Sequence, residues 1–300
     1  MDIQWTDGLV PVKADETCES LIPGGAAILQ KRDGFRFGTD AVALARFAVS
    51  HLRVRNGRRL TERAVDLGTG TGIIPLLLAL DTEIPRIHAV EIQPDMADMA
   101  RRSVAGNRLE ERITVLEADL RQADVLLGRG CHDLVLCNPP YQPLGAAIHS
   151  EGKAERASRH EIHCTLADVV LQAARLLRND GAFCVVHRPE RLSELFCLMS
   201  AAGIEPKQLQ MLHRSAHAPP SLVFVRGVRC GRRGLQILPP LIGPGGGAPQ
   251  ERENRQVGEE QSEREGHKDC MALPGERADR KGATWQDAST CRSTRRRHEA

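Results

Sequence analysis

The chain has 300 residues, of which 41% are hydrophobic and 3% aromatic, and its formal net charge at pH 7 is +2. This length and apolar content allow an aliphatic core in one large domain or two ordinary ones. The small net charge does not by itself indicate a nucleic-acid binder. No apolar run approaches the roughly 20 residues of a membrane-spanning helix. Nine cysteines without a Cys-x-x-Cys pair indicate reduced thiols rather than a disulfide framework.

The N-terminal residues 1–20 are polar and acidic, and they have neither an apolar periodicity nor the apolar segment of a signal peptide. We expect them to be flexible. Together with the missing membrane span and disulfide framework, they predict a soluble, cytoplasmic protein.

A predicted strand, Ala26–Gln30, leads into the segment Asp33–Asp40 and then into a helix from Ala41 to His51. Thr39 or Asp40 is expected to cap this helix, because hydroxyl and carboxylate side chains accept hydrogen bonds from the first turn. The segment Asp33–Asp40 is either a turn before a capped helix or a loop that contacts a ligand.

A glycine-rich turn follows the strand that ends at Ala64-Val65-Asp66. The turn, Leu67-Gly68-Thr69-Gly70-Thr71-Gly72, leads into a predicted helix, and its glycines let the backbone approach a ligand closely. Its spacing is Gly-x-Gly-x-Gly, whereas the dinucleotide fingerprint needs its third glycine at the position of Ile73. Asp66 would repel a pyrophosphate but suits a cationic, amino-bearing ligand. Both features favour S-adenosylmethionine over a nicotinamide cofactor.

Two further carboxylates follow predicted strands. Glu91 ends the strand Ile87–Val90, where a carboxylate can bind both hydroxyls of a ribose. The alternative role for Glu91 is a charge at the N-terminus of the next helix. Asp119 follows the strand Ile113–Leu116 and is a candidate for binding the exocyclic amine of adenine. Glu117 is the alternate candidate, and a solvated turn charge is the alternative for either.

The strand Asp133–Cys137 leads directly into the tetrapeptide Asn138-Pro139-Pro140-Tyr141. In open α/β sheets, ligands bind beyond the carboxyl ends of the strands, because helices cover both faces. The side-chain oxygen of Asn138 and the carbonyl of Pro139 are acceptors that could hold both hydrogens of one NH2 group. Tyr141 offers a face on which a planar amide or a nucleobase can stack.

The polar stretch Gly145–His163 is either a mobile substrate loop or a merely solvated one. Near it, His160, His163 and Cys164 lack a fourth ligand, so we expect no metal site. The later predicted elements are helix Leu166–Arg178, turn Asn179–Gly181, strand Ala182–Val186, helix Pro189–Ser200, and strands near Gln208–Leu212 and Leu222–Val225.

Strands and helices alternate along the chain, which predicts right-handed crossovers between parallel strands. We therefore predict an α/β, Rossmann-like fold over residues 21–242. Its seven-stranded, mostly parallel sheet would have helices on both faces and an antiparallel edge strand. Residues 243–300 contain few large apolar side chains, with 11 Lys or Arg against 11 Asp or Glu. Such a segment cannot bury a core, and we expect a disordered tail.

Basic residues concentrate in two stretches. Lys31–Arg63 contains nine Lys or Arg against three acids, and Lys207–Arg233 contains six against none. If the fold brings them to the rim of the crevice, they would bind phosphates. Ordinary solvated surface is the alternative.

The motifs Asp66–Gly72, Glu91 and Asn138–Tyr141 together make the chain from about Leu21 to Ile242 resemble a known family. This family is the class I S-adenosylmethionine-dependent methyltransferases, specifically the small-domain type that carries Asn-Pro-Pro-Tyr. This resemblance implies methyl transfer to a planar NH2 group, either adenine N6 in DNA or RNA or the glutamine of peptide release factors.

The segment Asp33-Gly34-Phe35-Arg36-Phe37-Gly38-Thr39-Asp40 is similar to the bacterial branch that methylates adenine N6 beside the anticodon of a valine tRNA. By that resemblance, Phe37, Gly38, Thr39 and Asp40 lie near the methionine end of the cofactor.

The predicted function is therefore S-adenosylmethionine-dependent methylation of adenine N6 in tRNA near the anticodon, by a monomer. One alternative is a protein glutamine N5-methyltransferase of the release-factor type. Those enzymes carry a helical domain before the glycine-rich strand, whereas here that strand begins already near Ala64. The other alternative is an inactive cofactor-binding or RNA-binding module, against which the intact Asn138 and Tyr141 argue.

Overall fold

A mixed sheet with helices on both faces organises the part of the chain that the structure, a computed structural model, describes. The described residues are 10–21, 25–33, 36, 38–52, 54–55, 58–59, 61–141 and 164–243. The chain divides into two units, Met1–Glu251 and Arg252–Ala300, and every described residue belongs to the first.

The strands and helices have the following bounds. The strands are β1 (Glu16–Ser20), β2 (Ala27–Lys31), β3 (Val54–Arg55), β4 (Arg58–Arg59), β5 (Arg63–Leu67), β6 (Arg86–Glu91), β7 (Ile113–Glu117), β8 (His132–Cys137), β9 (Leu177–His187), β10 (Ile204–His213), β11 (Pro220–Arg229), β12 (Gln236–Ile237) and β13 (Leu241–Ile242). The α-helices are α1 (Thr39–Ser50), α2 (Ile73–Asp81), α3 (Pro94–Gly106), α4 (Ala123–Leu127), α5 (Leu166–Leu176) and α6 (Leu192–Ala201).

The main sheet has the strand order β12-β10-β11-β9-β8-β5-β6-β7, and β13 also pairs with β10. Strands β5 to β9 run parallel, whereas β11 is antiparallel to both β9 and β10. The predicted α/β fold is confirmed, and its seven long strands are extended at β10 by β12 and β13, which have two residues each. The strand order reverses at β5, and such a reversal opens a crevice for a ligand.

Side chains of the central strands alternate between two buried clusters. Ala64 and Leu134 belong to the cluster that includes α1, α2 and part of α3. Val65 and Val135 belong to the cluster formed with α4, α5 and α6. Because successive side chains point to opposite faces and both faces are covered, these strands are continuous apolar runs in the sequence.

The N-terminal region departs from the predicted flexible segment. Strand β1 pairs antiparallel with β2, from Glu16 opposite Lys31 to Ser20 opposite Ala27. Glu16, 1% exposed, forms an ion pair of 2.6 Å with Arg102 of α3. The prediction of a flexible N-terminus is therefore wrong for residues 16–20, because β1 is held by pairing with the buried strand β2 and by polar contacts with α3, neither of which gives β1 itself an apolar face. Residues 1–9 lie outside the described part.

Two predicted boundaries are also wrong. The cap of α1 is Gly38, without a side-chain cap bond, rather than Thr39 or Asp40. Strand β9 begins at Leu177, immediately after α5, so the predicted turn Asn179–Gly181 lies within the strand. Asp180 has a φ of +64°, and the pairing of β8 with β9 shifts register at this end. A bulge therefore accommodates the turn-forming residues without interrupting the strand.

The predicted polar loop Gly145–His163 and, apart from Gly243, the predicted tail 243–300 lie outside the described residues. Among the helices that are described, none is long and apolar enough to cross a membrane.

Candidate active site

Two sequence motifs meet at one edge of the sheet. Leu67, at the end of β5, lies opposite Val90 of β6 and opposite Cys137 of β8. The glycine-rich turn therefore begins beside the first residue of the tetrapeptide Asn138–Tyr141. Both motifs lie where the strand order reverses, which is the expected position of a ligand crevice.

The glycine-rich turn is hydrogen-bonded to β6 at its start and packs closely against α3 at its end, and it leaves open space above Gly68 and Gly70. Gly68, Gly70 and Gly72 have φ values of +73°, +60° and +91°, in the left-handed region that favours glycine. The N–H groups of Gly68 and Thr69 donate to the carbonyl of Val90 at 2.9 and 3.0 Å. A Cβ at Gly68 or Gly70 would meet nothing within 4 Å, whereas one at Gly72 would lie 3.3 Å from Ala100 Cβ. The open space lies over the part of the turn predicted to approach the cofactor.

Asp66 is a buried carboxylate without a hydrogen-bond partner. Its side chain is 0% exposed, and within the described part of the chain neither of its oxygens has a partner. Burial, together with the smaller effect of the nearby charge of Glu91, raises the pKa of Asp66 to about 7. The Thr69 hydroxyl offsets part of this rise but does not reach hydrogen-bond geometry. An unpaired buried carboxyl is costly, and a cationic ligand group would pair with it.

Glu91 connects the glycine-rich turn to the end of β6. Its carboxylate accepts hydrogen bonds from the N–H of Gly70 at 2.8 Å and of Gln93 at 2.9 Å. Burial raises the pKa of Glu91, although these backbone bonds oppose the rise. Two carboxylate oxygens have about four lone-pair sites, so acceptor capacity remains for ligand hydroxyls. The predicted ribose role stays a prediction.

Tyr141 joins two predicted parts of the site. Its hydroxyl lies 2.6 Å from Asp40 Oδ2 and 2.7 Å from Asn138 Oδ1. Burial raises the pKa of Tyr141 far above its ordinary value, and the negative charge of Asp40 raises it further. The hydroxyl therefore stays protonated and donates. Within the tetrapeptide, Pro139 is buried and Pro140 is exposed.

The hydroxyl bond brings the first turn of α1 to the tetrapeptide. Thr39 and Asp40 belong to this turn, and Gly38 directly precedes it in the sequence. Phe37 lies outside the described residues, so its predicted role stays a prediction.

Sequence analysis missed His187, the last residue of β9, and Arg188, which follows it. The His187 ring meets the Tyr141 ring edge-on, with centroids 5.6 Å apart, and is 0% exposed. Burial lowers the pKa of His187 to about 4. Arg188 Cζ lies over the Tyr141 ring, 5.3 Å from its centroid. The position of β9 beside β8 was the available signal, because residues after both strands reach the same edge.

Asp119 lies at the end of β7, two strands from β5. Its carboxylate pairs with the guanidinium of Arg121 and accepts the N–H of the same residue at 2.9 Å. The alternate candidate Glu117 pairs with Arg101 at 3.3 Å. The role of Asp119 towards adenine stays a prediction.

The basic residues of the stretch Lys207–Arg233 are divided between the two ends of the strands, and only one of these ends carries the crevice. Arg214 lies in the β10–β11 turn, at the edge where His187 of β9 pairs with Val223 of β11. Arg229, opposite Ile204, lies at the other edge. Most of this stretch is therefore ordinary surface rather than the rim of the crevice. In the other basic stretch, Lys31–Arg63, the structure does not describe the side chains of residues 53–60.

Within the described ranges, no group of three or more His, Cys, Asp or Glu side chains is arranged to hold a metal ion. Of the three residues considered in the sequence, Cys164 alone is described.

A doubly wound sheet with this glycine-rich turn after one central strand and Asn-Pro-Pro-Tyr after the adjacent one defines a methyltransferase class. Residues 41–199, more than half of the chain, match the family described as methyltransferase small domain. The chain belongs to this family. The predicted methyltransferase activity and the predicted methyl donor of the family, S-adenosylmethionine, are confirmed.

Curated relatives have two different names. The chain is 26% identical over 191 residues to the tRNA1(Val) (adenine(37)-N6)-methyltransferase of Porphyromonas gingivalis, covering 63% of this chain and 72% of the relative. It is 31% identical over 175 residues to the enzyme of the same name from Tolumonas auensis, covering 58% and 68%. A shorter match of 106 residues, 34% identical, is to the ribosomal protein uL3 glutamine methyltransferase of Bordetella pertussis, covering 35% and 33%.

Solved structures share the fold. A predicted O-methyltransferase from Agrobacterium tumefaciens has a TM-score of 0.52 at 23% identity, covering 68% of this chain and 86% of that one. TYW2 of P. horikoshii, solved in complex with MeSAdo, has a TM-score of 0.50 at 14% identity, covering 73% of each chain.

Proposed function

We propose that this protein is an N-methyltransferase that transfers a methyl group from S-adenosylmethionine to N6 of an adenine in tRNA, near the anticodon. The observation that carries the proposal is the cluster of Asn138, Tyr141 and Asp40 beside the glycine-rich turn. The names of the curated relatives support adenine N6 of tRNA as the acceptor.

The residues of the crevice fit the cofactor. Open space above Gly68 and Gly70 leaves room for a ligand close to the backbone. The unpaired carboxyl of Asp66 suits a cationic amino group, and Glu91 has acceptors left for ribose hydroxyls. We assign Asp119 to the adenine amine and the segment 37–40 to the methionine end. When bound, S-adenosylmethionine supplies an electrophilic methyl group.

Asn138 and Pro139 would activate the substrate amine. The lone pair of an aromatic NH2 group is delocalised into its ring, so the amine is a poor nucleophile until it is held and made more pyramidal. Asn138 Oδ1 has two lone pairs, so even with one of them directed at the Tyr141 hydroxyl, 2.7 Å away, the other can accept a substrate hydrogen. The Pro139 carbonyl would accept the second hydrogen. The lone pair is then directed at the methyl group, and fixed acceptors of this kind contribute about 2 to 4 kcal/mol each.

Tyr141 would hold the target base. Adenine in RNA is stacked on its neighbours and must be extruded before its amine can enter the site. The ring of Tyr141 offers a stacking surface, while its hydroxyl, bound to Asp40, fixes the ring relative to Asn138. No strong base is needed before attack, because the proton can leave once the nitrogen is cationic.

The test is transfer of labelled methyl from S-adenosylmethionine to total tRNA, followed by nucleoside analysis. Peptide release factor and ribosomal protein uL3 are incubated in parallel reactions, because a glutamine methyltransferase is among the relatives. Label in N6-methyladenosine that disappears with Asn138→Ala is the expected result. Label on a protein alone would assign the enzyme to glutamine methylation, and no label on any acceptor would overturn both.

A further inference from the structure

Arg188 is an exposed cation at the mouth of the site. No carboxylate of the described residues lies within ion-pair distance of its guanidinium, whereas nearby Arg191 pairs with Glu194 at 2.6 Å. Its recorded contact is with the ring of Tyr141, whose centroid lies 5.3 Å from Cζ. Arg188 therefore keeps its charge available to an anionic partner.

The Arg188 guanidinium lies over one face of the Tyr141 ring, and a substrate base that stacks on this face would compete with it. A stacked base needs the ring surface that Arg188 covers in the free protein. His187 cannot make room, because it is 0% exposed and its Nδ1 accepts the N–H of Arg188 at 2.8 Å. Of these two residues that contact the Tyr141 ring, Arg188 is the one whose exposed side chain can move.

An RNA substrate offers the displaced guanidinium a better partner than the ring. Each nucleotide carries a phosphate on either side of its base, and a guanidinium has five N–H donors and no acceptor. An exposed cation–π contact is weaker than a charge-assisted, bidentate bond to phosphate. Entry of the base and release of Arg188 would therefore favour each other.

We infer that Arg188 is a substrate-binding residue that covers Tyr141 in the free enzyme and binds a phosphate beside the target nucleotide when the base stacks. The inference rests on the proposed function, because it requires a nucleic-acid substrate. It adds a residue outside the Asn-Pro-Pro-Tyr tetrapeptide to the substrate site.

The test compares Arg188→Gln with Arg86→Gln in methyl transfer to a valine tRNA transcript at several salt concentrations. Arg86 is exposed at the start of β6, at the opposite edge of the sheet, and its substitution removes the same charge. For Arg188→Gln we expect KM to rise about tenfold and kcat to change less than about twofold, with the slope of log KM against log salt smaller by about 0.7 to 0.9. Arg86→Gln should behave as wild type. Arg188→Lys, which keeps the charge, should restore the slope.

A second measurement uses Tyr141, the sole tyrosine of the chain. Fluorotyrosine labelling gives one fluorine resonance, which should shift when tRNA binds to wild type and be shifted already in free Arg188→Gln. Unchanged salt slope for Arg188→Gln, with a lower kcat at every salt concentration, would mean that Arg188 only supports Tyr141 and would overturn the inference. Wild-type protein that methylates no RNA in this assay would instead overturn the proposed function and the inference with it.

Discussion

Asp40 accepts a hydrogen bond of 2.6 Å from the hydroxyl of Tyr141, 101 residues further along the chain. The bond links the first turn of α1, assigned to the cofactor, with the tetrapeptide assigned to the substrate amine. A hydroxyl has one proton, and Asn138 Oδ1 lies 2.7 Å from the same oxygen. The two acceptors therefore share that proton, and the Tyr141 hydroxyl holds both of them close to one point.

Tyr141→Phe should lower kcat while leaving the stacking ring in place. A hydrogen bond to a charged group contributes about 1.5 to 3 kcal/mol, so we expect a loss of about 10- to 100-fold. KM for tRNA should change little, because the ring remains. Steady-state methyl transfer measures both constants, and Tyr141→Ala should raise KM as well. A wild-type kcat for Tyr141→Phe would show that the hydroxyl does not position the site.

Asn138→Ala should lower turnover strongly and leave cofactor affinity almost intact. Removing a fixed acceptor of this kind costs about 100- to 1,000-fold in rate, and Asn138 is assigned to the substrate amine. Isothermal titration with S-adenosylhomocysteine measures the affinity separately from turnover. Comparable losses of affinity and turnover would contradict the assignment.

Glu91→Ala should weaken cofactor binding first. The substitution removes the proposed ribose acceptor and the bond from the N–H of Gly70, which helps to hold the turn. We expect an affinity loss of about 10- to 100-fold. Glu83→Ala is the matched control, because Glu83 is exposed before the start of β6, at the opposite end of that strand, and is assigned to no ligand. Unchanged titration curves for Glu91→Ala would remove Glu91 from the cofactor site.

Alanine at Gly70 and at Gly72 should have different effects. Both positions have a positive φ, which costs a side-chain-bearing residue about 1 to 2 kcal/mol. Only at Gly72 does the new Cβ also crowd Ala100, at 3.3 Å. Denaturant unfolding should therefore show the larger stability loss for Gly72→Ala. Gly70→Ala should lose cofactor affinity, since its Cβ projects into the open space, and equal affinity to wild type would place the cofactor elsewhere.

The parallel part of the fold could be predicted because its strands are buried on both faces. Apolar runs such as Leu134–Cys137 end at turn-forming residues, and parallel strands bring their ends to one edge. The positions of Asp66, Glu91 and Asn138 follow from that rule alone. Predicting these three positions requires no knowledge of side-chain contacts.

The remaining features depend on contacts between distant segments. Strand β1 is held by pairing with β2 and by polar bonds such as Glu16 to Arg102, which leave no apolar period in residues 16–20. The contact of Arg188 with Tyr141 requires β9 to lie beside β8, and charge alone does not distinguish Arg188 from other arginines. The bulge at Asp180 depends on the pairing of β9 with β8.

The carboxyl of Asp66 should make the stability of the free protein depend on pH. Burial raises its pKa to about 7 from an ordinary value of 3.8, so the folded state binds the proton more tightly than the unfolded state. Its contribution is fully present below about pH 4 and is lost as pH rises to about 7. A difference of about three units corresponds to at most about 4 kcal/mol.

Asp66→Asn isolates this contribution. His132 and His187, whose pKa burial lowers to about 4, act oppositely, since their contribution is lost as pH falls from 6.5 to about 4. Wild type and Asp66→Asn are therefore compared by thermal unfolding at each pH, which cancels the histidines. The stability advantage of Asp66→Asn should be smallest near pH 4, grow steadily from pH 4 to pH 7 and level off by pH 8. Saturating S-adenosylhomocysteine, whose amino group would pair with the ionised carboxyl, should reverse it at pH 8. A difference independent of pH would mean that Asp66 does not titrate in this range.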